Sequence, residues 1–258
     1  MPDTAHAPPI PVTGPVAWDD DGMPYSPRFG ERYRSAGTER QGGWAQARHV
    51  FLAGCALTTP DGERLTEPAW RNACEWRMLE NGFGLGLNFL ATWYAWRQDP
   101  QRPARLVYEG TEAWPPSAED VRRSAAPFEQ LAPMADTLAD AWEHLLQGEE
   151  YCFDAGHVVL RLHGGDAIGA LRRVPPGVDS VFLDGFNPKL NPDMWSRELL
   201  EVIGTLARPG TRVATWCVLR AVRDGLKASG FTVRRREGLP PKWHCLTAVR
   251  LPSSDLPA

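Results

Sequence analysis

The stretch Glu75-Trp76-Arg77-Met78-Leu79-Glu80-Asn81-Gly82-Phe83-Gly84-Leu85-Gly86-Leu87-Asn88-Phe89 decides the fold of this chain. Up to Leu79, polar and apolar residues alternate, the pattern of a β-strand with one buried face. Glu80 follows, then glycines at positions 82, 84 and 86, then an apolar run of helical character. Strand, glycine turn and helix in that order build a nucleotide pocket, because a residue without Cβ lets a ligand approach the backbone. The spacing separates two kinds of pocket. A dinucleotide fingerprint reads G-x-G-x-x-G, but three positions after Gly84 stands Leu87, so that pattern fails. What remains is E-x-G-x-G-x-G, set against the plainer reading of a glycine turn that only packs a helix onto a sheet.

That pattern resembles the first motif of S-adenosylmethionine-dependent methyltransferases. In such a loop Glu80 ends the strand with a carboxylate, and Gly82, Phe83, Gly84 and Gly86 lie where the methionine part of the cofactor needs room. Downstream text repeats strand and helix. Leu87 to Arg97 reads as a helix, Arg105 to Gly110 as a second strand, and Val158 to His163 as a third. Val178 to Asp184 is a fourth strand and Arg212 to Cys217 a fifth. Helices are expected at Ser117 onward, Leu131 to Leu146, Ala167 to Arg173, Ser196 to Leu206 and up to Leu226. A closing antiparallel pair covers Phe231 to Arg235 and Cys245 to Leu251. The order implies an α/β fold, a doubly wound, mostly parallel seven-stranded sheet with a small N-terminal extension. Ligands of such sheets lie at the carboxyl ends of the strands, near the switch in strand order. Glu80, Glu112, Asp166 and Asp184 stand at or just past the ends of strands one to four. Four acids on one edge suit a ligand carrying a sulfonium, an ammonium and a ribose diol. Glu109 competes with Glu112 for the ribose, and a helix N-cap is the commoner role for Asp166.

Length and composition narrow the function. The 258 residues suffice for one large α/β domain or two small ones, and 43% hydrophobic content supplies a core. Residues 1–16 are expected to be a disordered tail, 17–70 a lid or extension, and 71–252 the main domain. Within the extension, Phe29 and Tyr33 lie four apart, as on one face of a short helix, and Arg48 to Phe51 leads into another. A net charge of −4 excludes a generally basic nucleic-acid binder, so such a partner needs a local basic patch. Arg220, Arg223, Arg234, Arg235 and Arg236 with Lys189 are its candidates. Five cysteines, odd in number and without a C-x-x-C pair, imply buried free thiols in a reducing compartment and no metal site. With no secretory leader or membrane-length apolar run, a cytoplasmic protein without membrane partners is expected.

The fourth strand carries the chemistry. Methyl transfer to nitrogen is an in-line displacement that needs an uncharged amine held close to the methyl. An alkylamine is mostly protonated at neutral pH, so the site must accept or direct a proton. Asp184 is the candidate, followed by Gly185-Phe186-Asn187-Pro188, a loose analogue of the Asn/Asp-Pro-Pro-Tyr segment of methyltransferases acting on exocyclic amines. Phe186 offers a ring face to a cation. A cap or cofactor contact is the alternative for Asp184.

With these residues in view, the chain resembles the methyltransferase domain of MnmC-type enzymes, which modify the wobble uridine of bacterial tRNA. The matching text is Arg48-His49-Val50-Phe51-Leu52, the run from Glu80 to Phe89, Glu112 before Trp114-Pro115, and Gly165-Asp166. The most specific match is Phe182-Leu183-Asp184-Gly185-Phe186 with Asn191-Pro192-Asp193-Met194-Trp195. The resemblance implies S-adenosyl-L-methionine as cofactor, held by Glu80, Gly82, Phe83, Gly84, Gly86, Asn88, Glu112, Asp166 and Asp184. It implies methylation of 5-aminomethyl-2-thiouridine to 5-methylaminomethyl-2-thiouridine, with Asp184 acting on the amine and Tyr33, Phe186 and Lys242 on the substrate side. The flavin domain of some members has no counterpart, so a separate amine-forming enzyme is expected. Two positions depart from the family. Ala113 replaces a lysine, and Lys242-Trp243-His244-Cys245 stands where Lys-Arg-Glu-Met is usual. These departures leave a small-molecule amine, or cofactor binding without catalysis, as alternative functions.

Overall fold

A computed structural model of the chain describes residues 10, 14–35 and 42–252. The central stretch forms β4 (Glu75–Asn81) and α2 (Leu87–Gln98) joined by the glycine loop. The other strands of the main sheet are β5 (Arg105–Glu112), β6 (Tyr151–Phe153), β7 (Val158–Gly164), β8 (Val178–Leu183), β9 (Ala207–Thr215), β10 (Phe231–Glu237) and β11 (His244–Arg250). They lie in the order β10-β11-β9-β8-β4-β5-β7-β6. The five inner strands β9, β8, β4, β5 and β7 are mutually parallel, and β10, β11 and β6 join antiparallel. Strand order reverses between β4 and β8, so the switch point falls beside the glycine loop.

The sheet has eight strands where seven are expected. The additional one, β6, is a three-residue edge strand, too short to display the alternation by which strands are read. The expected one-sided burial of β4 is also corrected. Trp76 and Met78 enter one apolar cluster, whereas Leu79 enters another on the opposite face. Both faces are covered, as βαβ connections require of a parallel sheet. One face carries α1 (Gly42–Gln46) with its continuation Ala47–Leu52 and α2. Here Phe51, Phe89, Trp93, Tyr108 and Phe182 interlock. The other face carries α6 (Ala167–Leu171), α7 (Arg197–Leu206) and α8 (Arg220–Ala228) around Val181, Leu183, Leu199 and Leu226.

The helix expected over Leu131 to Leu146 is two, α4 (Ala132–Asp140) and α5 (Trp142–Leu146), following α3 (Ala118–Ala125). The break turns Trp142 into the core, where its indole N–H reaches Pro116 O. No short helix spans Phe29 and Tyr33. Strands β1 (Ala17–Trp18), β2 (Pro24–Ser26) and β3 (Glu31–Arg32) form a separate small sheet instead, and the turn before β3 closes on Gly30 with φ +62°. A left-handed residue ends helical continuation and favours a turn. Most of the expected tail lies outside the described residues. Within it, Ile10 is buried and donates its N–H to Leu146 O at 2.6 Å. The cysteines are all free, and Cys55, Cys217 and Cys245 are buried as expected, but Cys74 and Cys152 are exposed. No helix among the described residues is long and apolar enough to cross a membrane.

Candidate active site

The carboxyl ends of β4, β5, β7 and β8 open into a cavity of about 570 Å³, within the size range of ligand sites. Tyr33, Glu80, Gly82, Phe83, Gly84, Asn88, Glu112, Asp166, Asp184, Phe186 and Lys242 all line it. Glycine geometry explains its shape. Gly82 has φ +87°, and a Cβ there would lie 3.0 Å from Asp184 O and 2.9 Å from Met194 Cε. The loop is tied down by Thr111 O, which accepts from both Gly82 N and Phe83 N, and by Glu112 Oε2, which accepts from Gly84 N at 2.8 Å.

Three of the expected cofactor residues also have structural contacts of their own. Gly86 does not line the cavity. It starts α2 at φ +76°, where a side chain would meet Leu138 and the Phe83 ring. Phe83 is 2% exposed, its ring lying over Gly110 and stacked on Trp142, so it anchors the loop in the core. Asn88 donates through Nδ2 to Glu80 Oε1 at 2.7 Å and to Asp184 Oδ2 at 2.9 Å. Both of its N–H donors are thereby used, and it holds two carboxylates at a fixed separation.

Glu80 is 1% exposed and also accepts from Tyr108 OH at 2.8 Å. Burial, reinforced by the Asp184 charge, pushes its pKa well above the ordinary glutamate value. Glu112 bridges the glycine loop and Trp114 N, and burial raises its pKa against those backbone donors. Glu109, the competitor, is 0% exposed and bonded to Arg161 and His163 at 2.8 Å each, away from the cavity. The cavity therefore receives Glu112. Asp166 lines the cavity and caps α6 through Gly169 N.

Asp184 Oδ1 accepts from Gly185 N at 2.8 Å and Trp216 Nε1 at 2.9 Å. Oδ2 accepts only from Asn88 among the described residues. Burial raises its pKa, and these donors together with the Lys242 charge oppose the rise. Lys242 Nζ sits 3.4 Å from the centroid of the Trp216 ring, a cation–π distance. Burial lowers its pKa while Asp184 and Glu31 raise it. Phe186 stacks on Phe29 at 4.6 Å and meets Tyr33 edge-on at 5.1 Å. Glu31 Oε2 accepts from Asn187 N at 2.7 Å, so the small sheet closes against the loop after β8.

The cavity is also lined by Phe29, Trp114 and Met194, which the sequence singles out without a site role, and by Glu31, Arg34 and Trp216, which it does not single out. Trp216 stands immediately past β9; attention to strand ends for residues of any type, rather than acids alone, finds it. Among the described residues, no group of three His, Cys, Asp or Glu is placed to hold a metal ion.

Residues 129–251 match the family described as S-adenosyl-L-methionine-dependent methyltransferase. That match, together with the site, supports an S-adenosyl-L-methionine-dependent methyltransferase. The chain is 47% identical over 241 residues to the tRNA 5-methylaminomethyl-2-thiouridine biosynthesis bifunctional protein MnmC of Delftia acidovorans. That match covers 93% of this chain and 35% of the relative. MnmC of Thiobacillus denitrificans is 42% identical over 88% of this chain and 35% of its own length. The chain thus spans about a third of the length of these relatives. Among solved structures, MnmC2 of Aquifex aeolicus superposes with a TM-score of 0.67 at 22% identity, covering 95% of this chain and 73% of that one. Its likeness establishes the methyltransferase fold. The cavity fits the cofactor: left-handed glycines open the backbone beside β4, and carboxylates end β4 and β5.

Proposed function

We propose that this methyltransferase acts on the aminomethyl nitrogen of 5-aminomethyl-2-thiouridine at the tRNA wobble position, forming 5-methylaminomethyl-2-thiouridine. The name borne by its MnmC relatives supports the acceptor. The observation that carries the reaction type is the state of Asp184. Two donors fill Oδ1, one donor occupies Oδ2, and a lone pair of Oδ2 remains for an amine in the cavity. When bound, S-adenosyl-L-methionine supplies a methyl group activated on a positively charged sulfur. Glu80, Gly82, Phe83, Gly84, Asn88, Glu112, Asp166 and Asp184 shape its berth, with Glu112 on the ribose side and Gly86 setting the loop from behind.

Asp184 takes the proton of the incoming ammonium, and its raised pKa suits a base for that transfer. Asn88 and Trp216 aim the carboxylate. Phe186, backed by Phe29 and Tyr33, presents a ring face to the positive charge on nitrogen. Lys242 stands at the acceptor side. The residue after it, Trp243, is 82% exposed, and an exposed ring beside a pocket suits stacking on an unpaired base. Of the expected arginines, Arg234 and Arg235 are exposed on β10, Arg236 reaches His49 O, and Arg220 pairs with Asp224. Phosphate contacts in this reading come from Arg234, Arg235 and Lys189. No metal takes part, the amine is made by a separate activity, and a tRNA acceptor places the reaction in the cytoplasm. Residues 17–70 act as a cover over the site on the domain of residues 71–252.

The net charge of −4 favours a second reading, a free alkylamine as acceptor. Competition decides between them. The protein is incubated with methyl-labelled cofactor, tRNA bearing the aminomethyl group, and a panel of alkylamines. Label in the tRNA is expected; label in the small amines alone contradicts the tRNA reading.

A further inference from the structure

Arg34 is a buried cation in a cavity lined by several carboxylates. It follows β3, lines the cavity and is 9% exposed. Its stem lies so close to Gly43 that a Cβ there would stand 2.3 Å from Arg34 Cδ, and the same Cβ would meet Leu87 at the start of α2. The guanidinium lies 5.3 Å from the Phe128 ring centroid and donates from one nitrogen to Ser124 Oγ on α3. Among the described residues no carboxylate pairs with it. Burial alone pulls its pKa down to about 10.

A buried guanidinium is costly without an anion, because desolvation is repaid only by a paired charge and filled hydrogen bonds. Its fork has five donors shaped for a carboxylate, and one hydroxyl uses only one of them. The other cations of the cavity are engaged. Arg32 pairs with Asp19 at 2.5 Å, and Lys242 rests on Trp216, facing Asp184 and Glu31. The cofactor of this family carries a sulfonium and an ammonium, which suit the cavity acids, and a single carboxylate, which does not.

We propose that Arg34, steadied by Ser124 and Phe128, binds the α-carboxylate of the cofactor's methionine moiety. The inference rests on the cofactor assignment. It makes the N-terminal extension part of the cofactor site: β3 delivers the cation, and α2 and α3 supply its surroundings.

Calorimetric binding of S-adenosyl-L-methionine and of its decarboxylated analogue tests this without turnover. The two ligands differ only in the carboxylate. The wild-type protein should prefer the carboxylated ligand by about 10- to 100-fold, the range for a charge-assisted hydrogen bond. Arg34→Met should weaken only the carboxylated ligand, bringing the ratio close to one, and Arg34→Lys should recover part of it. A wild-type protein that binds both ligands equally overturns the proposal, whatever the variants do. So does an Arg34→Met protein that keeps the wild-type ratio; if Lys242→Met then abolishes the ratio, the carboxylate lies at Lys242 instead. Failure of the wild type to bind either ligand is a different result, which overturns the cofactor assignment and this inference together.

Discussion

Trp216 donates its indole N–H to Asp184 Oδ1 at 2.9 Å while its ring face carries Lys242 Nζ at 3.4 Å from the centroid. Carboxylate and ammonium are thus joined through one ring, and among the described residues they form no direct ion pair. A direct pair would hold Asp184 ionised and occupied; the intervening indole leaves Oδ2 for an acceptor amine. Trp216→Phe keeps a ring for Lys242 and removes one donor from Asp184. Loss of a donor to the charged form raises a carboxyl pKa. The acid limb of the pH–rate profile should therefore move to higher pH, because the ionised base disappears sooner as pH falls.

Asp184→Asn removes the proton acceptor while preserving size and most contacts. Turnover should fall by about 10²- to 10⁴-fold, the usual worth of a positioned base. Cofactor binding, followed by calorimetry, should remain measurable. Turnover near the wild-type level removes Asp184 from proton transfer.

Asn88→Leu leaves Glu80 and Asp184 facing each other without their shared donor. Losing hydrogen bonds to buried charged groups should cost about 1–3 kcal/mol of stability in chemical denaturation. The sign of the pH effect follows from the two raised pKa values. The folded state binds protons more tightly than the unfolded one, so this pair disfavours folding increasingly as pH rises above the ordinary carboxylate range. Asn88→Leu raises both values further, so its deficit in thermal midpoint should be larger at neutral pH than at pH near 4.

Gly82→Ala places a methyl group 3.0 Å from Asp184 O at φ +87°. Strain in that backbone region costs on the order of 1–3 kcal/mol. A lowered melting temperature with weakened cofactor binding is expected, since the methyl projects where β4 meets the loop after β8. Gly86→Ala should lower stability by packing against Phe83 and Leu138, with any loss of affinity following from the displaced loop.

Trp243→Ala tests the exposed ring. Stacking of a base on an aromatic side chain is worth about 1–3 kcal/mol, so KM for tRNA should rise by roughly 5- to 150-fold. Binding of the cofactor and the thermal midpoint should stay at wild-type values. An unchanged KM removes Trp243 from acceptor recognition.

The glycine spacing and the acids at strand ends were sufficient to read the sheet's parallel core and the cavity edge, since both depend on short, local patterns. Asp184 and Glu112 could be read because the carboxyl end of a parallel strand is a position that sequence order defines. Gly86 could not be distinguished from the cavity-facing loop residues, nor could Phe83 be read as the loop's anchor in the core, because both depend on distant partners, Gly110, Trp142 and Leu138. Asn88 was legible as a site residue but not as the bridge between two carboxylates, which only the meeting of β4, β8 and α2 creates. Arg34 carries no local signal, and Trp216 only its place just past the end of β9. Their roles arise from contacts across about 90 and 30 positions of chain, to Ser124 and Asp184.

The most direct test of the account is the mass of the wobble nucleoside. tRNA carrying 5-aminomethyl-2-thiouridine is incubated with the protein and S-adenosyl-L-methionine, digested, and its nucleosides are separated by mass spectrometry. The account predicts that 5-aminomethyl-2-thiouridine is replaced by 5-methylaminomethyl-2-thiouridine, and that Asp184→Asn protein leaves it unchanged. An unaltered wobble nucleoside, under conditions where the protein binds the cofactor and methylates a free amine, contradicts it.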